Sequence, residues 1–221
     1  METNGRNIVL IGSPGVGKGV QAERLSSREG IPHLSTGALI RDEIARGSAL
    51  GAQVRKRVER GGFVDDETIL ALVSLQLGLP GFQRGFVMDG FPRTLSQAEK
   101  FDYLLEGQGR RVNFAINIDA PEDVIRRRLT GRLVCSECER SYHVEFQPPV
   151  VEGVCDVCRG AVDRRPDDSA EVHRKRILVF RELTRPVLDY YRERGVLVEV
   201  DGSPSIEAVA QEIQDSIAVR G

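Results

Sequence analysis

Two groups of residues in this sequence have the types and the spacing that chemistry requires. The first is the stretch GSPGVGKG at residues 12–19, which matches the pattern G-x-x-x-x-G-K. Glycines at these positions let a backbone fold around a phosphate with its N–H groups pointing inward, and Lys18 adds a positive charge. An apolar run precedes the loop and a polar helical stretch follows it, as a phosphate-binding loop requires. The predicted phosphate site consists of Gly12, Gly15, Val16, Gly17, Lys18, Gly19 and Val20.

The second group is a set of four cysteines, namely Cys135, Cys138, Cys155 and Cys158. They form two C-x2-C pairs, a spacing typical of a zinc ribbon, in which each pair supplies two thiolates to one tetrahedral ion. Four protein ligands leave no position for a reactive water, so we expect Zn²⁺ to have a structural role. Free thiols and a redox pair are the alternatives.

The composition limits the class of protein. The chain has 221 residues, of which 40% are hydrophobic and 29% charged, as in a folded globular protein. The net charge of -2 gives no general attraction to nucleic acid or to an anionic membrane. No apolar run reaches the length of about 20 residues that a membrane helix needs, and the first residues lack the features of a signal peptide. We therefore expect a cytoplasmic protein without nucleic-acid or membrane partners, and we take a monomer with small-molecule ligands as the working expectation.

Short β-branched runs alternate with helical stretches, which predicts an α/β fold with a doubly wound parallel sheet flanked by helices. The predicted strands are residues 8–11, 32–34, 86–88, 112–118 and 196–200. The predicted helices are residues 18–28, 96–106, 121–130, 168–194 and 205–218. We expect Pro186 to kink or divide the longest of them. In such folds the functional crevice lies at the carboxyl ends of the strands.

Two segments interrupt this alternation. Residues 36–64 are helical in pattern and rich in arginine, with no strand among them. Residues 131–167 contain the four cysteines and show no helical period. We interpret both as insertions into a core made of residues 1–35, 65–130 and 168–221.

Several motifs occur in one order along nearly the whole chain. They are GSPGVGKG at 12–19, STGALIR at 35–41, MDGFPRT at 88–94, TGR at 130–132, and RPDD followed by HRKR within 165–176. Together they resemble the adenylate kinases, a family of P-loop nucleoside monophosphate kinases, and the four cysteines resemble the zinc-bearing lid of some bacterial members. Gly19 fits this family, in which glycine follows the lysine of the loop. GTPases and most ATPases carry serine or threonine at that position instead.

The resemblance implies reversible phosphoryl transfer from MgATP to AMP, giving two ADP. It also implies an AMP-binding insert at residues 36–64 and a zinc-binding lid at residues 131–167 that closes over the nucleotides. The AMP contacts that it implies are Thr36, Arg41, Val64, Gly90, Arg93 and Gln97. The contacts to the exchanging phosphates are Lys18, Arg93, Arg128, Arg132, Arg165 and Arg176, and Asp89 orients the water shell of Mg²⁺.

The chemistry of this reaction explains why arginines matter. The attacking phosphate oxygen is already ionised at neutral pH, so no general base is needed. Two polyanions must approach each other, and positioning and cationic stabilisation provide almost all of the catalysis. Guanidinium groups bind phosphate oxygens in pairs and stay charged when partly desolvated. We therefore expect structural or solvated roles for His33, His143 and His173.

Arg176 is distinguished by its position in the predicted helix 168–194. Apolar residues recur there every three or four positions, which predicts a buried helix face. These residues are Val172, Phe180, Leu183, Val187 and Tyr191. Arg176 lies on the same face, where a charged side chain needs an anionic partner.

Two positions depart from the motifs of the family. Val20 stands where threonine normally follows GKG, and Ala38 stands where aspartate normally follows STG. The loss of one charge-assisted hydrogen bond costs about 1.5–3 kcal/mol of phosphate binding. We therefore expect an active enzyme with a lower turnover than is usual for the family.

Two other functions fit parts of the sequence. A kinase for UMP, CMP or GMP has the same scaffold, and Gln97 favours adenine only modestly. The other alternative is a zinc-ribbon module that binds nucleic acid or a partner protein and uses ATP as a switch. Its ribbon is too acidic for nucleic acid. The acidic residues are Glu137, Glu139, Glu145, Glu152, Asp156 and Asp163.

Overall fold

The computed structural model describes residues 6–164 and 170–220. The strands of this part of the chain are β1 (Arg6–Ile11), β2 (His33–Ser35), β3 (Gly85–Asp89), β4 (Phe114–Asp119), β5 (Arg132–Cys135), β6 (Ser141–His143), β7 (Val162–Asp163) and β8 (Leu197–Asp201). Five of them form a parallel sheet in the order β2-β3-β1-β4-β8. The prediction of a parallel α/β sheet flanked by helices is confirmed.

The helices cover both faces of this sheet. They are α1 (Lys18–Glu29), α2 (Thr36–Ala45), α3 (Ala49–Glu59), α4 (Asp66–Leu77), α5 (Leu95–Glu106), α6 (Glu122–Thr130), α7 (Ala170–Val179), α8 (Arg185–Glu193) and α9 (Ile206–Arg220). A 3-10 turn follows α4 at Pro80–Phe82, and a π-helical turn separates α7 from α8 at Phe180–Thr184. None of the described helices is long and apolar enough to cross a membrane.

The apolar runs of the central strands are explained by burial on both faces of the sheet. Successive side chains of a strand point to opposite faces, and β1 shows this alternation. Ile8 and Leu10 pack into one hydrophobic cluster with α1 and α9, whereas Val9 and Ile11 pack into another with α4, α5 and α8. The two clusters fix the carboxyl end of β1, from which the predicted phosphate loop starts.

The insert consists of α2 and α3, as the sequence predicted, with no strand among residues 36–64. Ser35 caps α2 by accepting a hydrogen bond from the N–H of Ala38, and Ser48 caps α3 in the same way through Gly51. A Cβ at Gly51 would overlap the carbonyl group of Glu43, so glycine allows the two helices to approach closely.

Helix α4 was missed by the sequence analysis, which assigned no element to residues 65–85. Its beginning carries a clear signal. The side chain of Asp65 accepts a hydrogen bond from the N–H of Thr68 at 2.9 Å, and Asp66 and Glu67 occupy the first turn. The apolar residues of α4 lack a single clear face, which explains why periodicity alone did not reveal it.

The predicted helix 168–194 is divided near Pro186, as expected: a π-helical turn ends at Thr184, and α8 begins at Arg185. Residues 165–169 lie outside the described part of the chain. The wider π-helical turn shifts the phase of the buried face, so that Thr184 is buried and Leu183 is 45% exposed. Leu183 was therefore assigned wrongly to the buried face.

The lid contains a small antiparallel sheet with the strand order β6-β5-β7. Its described hydrophobic cluster consists of Cys135, Tyr142, Cys155 and Val162. This is a small core, and it agrees with the lack of helical period over residues 131–164. The division of the chain into core, insert and lid stays a prediction.

Candidate active site

A large cleft, with a volume of about 1200 Å³, lies at the carboxyl ends of β1, β2 and β3. The phosphate loop, the insert, α6, the lid and α7 all contribute side chains to it. This is the edge of a parallel sheet at which a ligand crevice is expected. The cleft thus brings together most of the motifs that are separated in the sequence.

The phosphate loop has the backbone that its glycines predict. Gly12, Gly15 and Gly17 all have positive φ angles, which glycine adopts without strain. A Cβ at Gly12 would also overlap the carbonyl oxygen of Ile118 in β4. Helix α1 begins at Lys18, directly after the loop, so the N–H groups of its first turn lie at the cleft.

Lys18 is half-buried, and its ammonium group is held by the phosphate loop. Its Nζ donates to the carbonyl oxygens of Gly12 at 2.8 Å and of Ser13 at 3.0 Å. Burial lowers the pKa of Lys18 to about 8, and Asp89 opposes this shift. Arg93 and Arg132 lower the pKa further by charge repulsion. Lys18 is therefore mostly protonated at pH 7 and lies close to other cations.

Arg93 occupies a similar environment in the DGFPRT turn. Its Nε donates to the carbonyl oxygen of Gly90 at 2.5 Å, and its guanidinium lies over the ring of Phe63 at 4.9 Å. Burial lowers the pKa of Arg93 to about 10, with Asp89 opposing and with Arg176 and Arg41 adding to the shift. Arg93 stays charged at neutral pH at the cost of its desolvation.

Among the described residues, eight lysines and arginines line the cleft, and five of them are linked by their effects on the pKa values of Lys18 and Arg93. We call Lys18, Arg41, Arg93, Arg132 and Arg176 the cationic cluster; all five line the cleft. Their mutual effects on the pKa values of Lys18 and Arg93 show that they are close enough to repel each other. Such a cluster is suited to bind an anion of high charge between its members.

Asp89 is the carboxylate next to these cations, at the carboxyl end of β3. A Cβ at Gly19 would lie 3.6 Å from Oδ2 of Asp89, which places the carboxylate beside the first turn of α1. Mg²⁺ in nucleotide sites is usually held by one or two carboxylates and by phosphate and water oxygens. The position of Asp89 is suitable for such a carboxylate.

Arg128 is held differently from the cationic cluster. Its guanidinium donates to the carbonyl oxygens of Val16 and Gly202 at 3.0 and 2.6 Å, and of Ser203 and Pro204 at 3.3 and 3.1 Å. These carbonyls use the edge of the guanidinium, so its face is left to contact a planar group. The sequence analysis assigned Arg128 to the phosphates, and that role stays a prediction.

The predicted AMP contacts fall into two groups. Val64 and Gly90 line the cleft, with Gly90 at a φ of 78°. Thr36 and Gln97 are buried, and the described lining of the cleft does not include them. The hydroxyl of Thr36 donates to the carbonyl of Gly90 at 2.9 Å.

Both polar atoms of the Gln97 amide form hydrogen bonds within the protein. Its Oε1 accepts from the backbone N–H of Arg93 at 2.7 Å, and its Nε2 donates to Oδ1 of Asp66 at 2.7 Å. In this arrangement Gln97 fixes the backbone that carries Arg93. Its contact with adenine stays a prediction.

Val20 and Ala38, the two positions that depart from the family motifs, both line the cleft. Neither side chain has a polar atom to offer to a phosphate. Arg165, by contrast, lies outside the described residues, and its predicted role stays a prediction.

The four cysteines form one cluster. Their sulfur atoms all lie within 4.8 Å of one another. Sγ of Cys135 is 3.3 Å from Sγ of Cys158, and Sγ of Cys138 is 3.6 Å from Sγ of Cys155. Tetrahedral Zn²⁺ with Zn–S bonds of about 2.3 Å separates sulfurs by about 3.8 Å, so the donor set fits this ion.

Two histidines near the cleft have environments that favour the neutral imidazole. Nδ1 of His143 accepts from the backbone N–H groups of Glu145 at 3.0 Å and Phe146 at 3.1 Å. Burial lowers the pKa of His143 and that of His33. The structural role expected for His143 agrees with these contacts.

Sequence reasoning missed several residues that shape this site. Phe63 supports Arg93, Asp66 holds Gln97, and Glu139 forms an ion pair with Arg41. The loop Gly202–Pro204 was also missed, although it follows β8 at the carboxyl edge of the sheet. That position was the available signal for the loop, whereas the other contacts join residues far apart in the chain.

Comparison with known proteins supports one family. The family model described as adenylate kinase matches residues 10–196. The adenylate kinase of Moorella thermoacetica is 45% identical over 202 residues, which cover 91% of this chain and 93% of the relative. The adenylate kinase of Archaeoglobus fulgidus is 40% identical over 208 residues (94% and 96%), and that of Bacillus subtilis is 41% identical over 209 residues (95% and 96%). With these matches along nearly its whole length, and with the cationic cluster beside its phosphate loop, the chain belongs to the adenylate kinase family.

Proposed function

We propose that the cleft binds MgATP and AMP side by side and that a phosphoryl group passes directly from ATP to AMP, giving two ADP in a reversible reaction. The cationic cluster stabilises the transition state of this transfer. This is the reaction of the adenylate kinase family, to which the chain belongs. The observation that carries the proposal is the crowding of five cations in one cleft, where burial lowers the pKa values of Lys18 and Arg93. Two nucleotide phosphates bound there would relieve the repulsion among the cations.

The residues divide the work according to their positions. Lys18 and the N–H groups of residues 12–20 bind the phosphates of ATP. Arg41 and Arg93, which lie in the insert and in the DGFPRT turn, bind the phosphate of AMP. Arg132 lies close enough to Lys18, and Arg176 close enough to Arg93, to lower the pKa of that neighbour. In this proposal both arginines stabilise the charge that spreads over the transferred oxygens.

Magnesium enters this site with ATP. Asp89 would orient the water shell of the ion, and the ATP phosphates would supply the oxygen ligands that it prefers. When bound, Mg²⁺ neutralises part of the phosphate charge. Asp89 also raises the pKa of its neighbours Lys18 and Arg93, and so keeps both protonated.

Arg128 has a separate task in this proposal. Backbone carbonyls on the phosphate loop and on Gly202–Pro204 hold its edge, and Arg128 lines the cleft. In this proposal its face, rather than its edge, meets the ligand, which replaces the phosphate contact expected from the sequence. A guanidinium face stacks well on an aromatic ring. We therefore place the donor base against Arg128 and the donor phosphates against Lys18.

We also propose that Zn²⁺ is bound by Cys135, Cys138, Cys155 and Cys158 and that it stabilises the lid. The sulfur positions support this proposal, as does the small size of the lid core. Four thiolates close the coordination sphere, so the ion takes no part in the chemistry. Thiolates in this number also favour a reducing compartment such as the cytoplasm, and we propose that the protein acts there as a monomer.

The proposal is tested by a coupled assay of ADP formation with MgATP and each of AMP, CMP, UMP and GMP. We expect two ADP per cycle with AMP and a kcat/KM for AMP at least about a hundredfold above those of the other acceptors. A higher value for another monophosphate would keep the cleft chemistry and overturn the choice of acceptor. No transfer to any acceptor would overturn the function itself.

Val20 and Ala38 lower the turnover in this proposal, because Val20 has no hydroxyl to donate to a phosphate and Ala38 lacks the carboxylate that is usual at its position. The double variant Val20→Thr with Ala38→Asp restores both polar groups. We expect it to raise kcat/KM about tenfold, as the gain of one charge-assisted hydrogen bond in the transition state predicts. An unchanged or lower value would show that other residues compensate for the two positions.

A further inference from the structure

A residue of the lid holds one arginine of the cationic cluster. Nε of Arg41 donates to Oε1 of Glu139 at 2.7 Å, and its terminal nitrogen Nη2 donates to Oε2. Arg41 lies in α2 of the insert, and Glu139 lies in the turn between β5 and β6, directly after Cys138. The ion pair therefore joins the lid to the insert across the cleft.

The pair uses one edge of the guanidinium group. Nε and one N–H of Nη2 face Glu139, whereas Nη1 and the other N–H of Nη2 form a second edge. Nη1 lies beside Gly37, since a Cβ at Gly37 would be 3.1 Å from it. Gly37 and Arg41 both line the cleft. The second edge is thus placed to bind an anion in the cleft while the first edge is held by Glu139.

The backbone of Glu139 is held in an unusual conformation. Its φ angle is 58°, in the left-handed region that favours glycine. Its N–H donates to the carbonyl oxygen of Cys135 at 3.1 Å, so the cysteine turn fixes the conformation. A non-glycine residue there is strained, and the two-pronged ion pair with Arg41 offsets that strain.

We propose that Glu139 is a positioning residue for the AMP phosphate. It orients Arg41 so that the second edge of the guanidinium faces the phosphate, and it does so only while the lid lies over the insert. This inference rests on the proposed function. It makes the affinity for AMP depend on a residue of the lid, and it leaves the ATP phosphates to Lys18.

The test compares Glu139→Gln with Glu152→Gln, a matched control at an exposed position of the same lid. The KM for AMP, the KM for ATP and kcat are measured for each, together with the melting temperature and the zinc content. We expect Glu139→Gln to raise the KM for AMP about fivefold, with the KM for ATP and kcat within about twofold of the parent values. The control should leave all three constants within about twofold.

A second variant keeps the test valid if the glutamine variant folds poorly. Glu139→Gly removes the carboxylate and also relieves the strain at a φ of 58°. It should therefore be at least as stable as the parent protein and show the same rise in the KM for AMP. In an Arg41→Lys background, where the two-pronged pair is lost, Glu139→Gln should have less than about half of its effect on a logarithmic scale.

Several outcomes would overturn the inference. A lower KM for AMP in Glu139→Gln would show that the carboxylate competes with the phosphate for Arg41. An unchanged KM for AMP, or an equal rise in Glu152→Gln, would show that the ion pair does not position Arg41. The activity of the parent protein with ATP and AMP is measured in the same assay. If the parent protein shows none, the proposed function fails, and this result is distinct from an unchanged KM in the Glu139 variants.

Discussion

The phosphate loop and the lid border the same cleft, but different forces hold them in place. The loop follows β1, whose two faces are packed into separate hydrophobic clusters. The described part of the lid has one cluster of four residues, two of which are cysteines. Several apolar lid residues are exposed, including Val150 at 89% and Val157 at 63%. The core has two large hydrophobic clusters to stabilise it, whereas the lid has a small one and, in our proposal, depends on the Zn²⁺ bound by its thiolates.

The two regions also differ in how charge is used. Burial lowers the pKa values of Lys18 in the loop and of Arg93 in the neighbouring DGFPRT turn. The desolvation of these two charged groups lowers the stability of the nucleotide-free protein. In the lid, the proposed Zn²⁺ would be enclosed by four cysteine ligands, in a closed coordination sphere. We therefore expect variants at the phosphate loop to change activity more than stability, and variants of the lid cysteines to change stability more than activity.

The largest effect is expected at the loop. Lys18→Met removes the cation and leaves a side chain of similar length in a half-buried position. We expect kcat to fall by about a thousandfold or more, as for other charge clamps in phosphoryl transfer, while the melting temperature stays the same or rises. Steady-state kinetics and thermal unfolding check this. Lys100→Met, at an exposed position of α5, is the control; retention of a tenth of the parent kcat by Lys18→Met would remove Lys18 from the mechanism.

The lid should show the converse behaviour. Cys155→Ser removes one of two buried ligands, so zinc should be released and the melting temperature should fall by more than about 5 °C. At low temperature kcat should change by less than about tenfold, because the cationic cluster stays intact. Metal analysis and thermal unfolding test this, with Val157→Ser as a non-ligand control in the same turn. A loss of kcat as large as that of Lys18→Met would give the metal a direct part in catalysis.

Part of this contrast could be predicted from the sequence. The loop, the strand before it and the four cysteines have local spacings that fix their geometry. Helix α4 was missed because its apolar residues lack one clear face, and Leu183 was misplaced because a π-helical turn changes the phase of the helix. The pair of Arg41 with Glu139 joins residues 98 positions apart, and no local pattern indicates it.

A smaller effect is expected from pH. The pKa of Lys18 is about 8 in the nucleotide-free protein, and only the protonated form attracts phosphate. The kcat/KM for ATP should therefore fall as the pH rises through 8, by about fourfold between pH 7 and pH 8.5. A pH profile of kcat/KM checks this, and a profile that stays flat to pH 9.5 would contradict it.

The pH dependence of stability should have the opposite sign to that of kcat/KM. The pKa of Lys18 in the folded protein is lower than that of a free lysine, so the unfolded chain binds more protons between about pH 8 and 10.5. The contribution of Lys18 to the free energy of unfolding should therefore rise with pH in that window. Lys18→Met should abolish this contribution, which denaturant unfolding at several pH values can measure.

Two arginines allow the central claim to be tested directly. Arg93 lies over Phe63 at 4.9 Å in the cleft, and Arg110 lies over Phe86 at 5.2 Å, outside the described lining of the cleft. The measurement is kcat for ADP formation, with the melting temperature, in Arg93→Met and Arg110→Met. We predict a loss of kcat of about a thousandfold for Arg93→Met and a change of less than about threefold for Arg110→Met. A kcat within tenfold of the parent value in a folded Arg93→Met would contradict the claim that the cationic cluster carries the phosphoryl transfer.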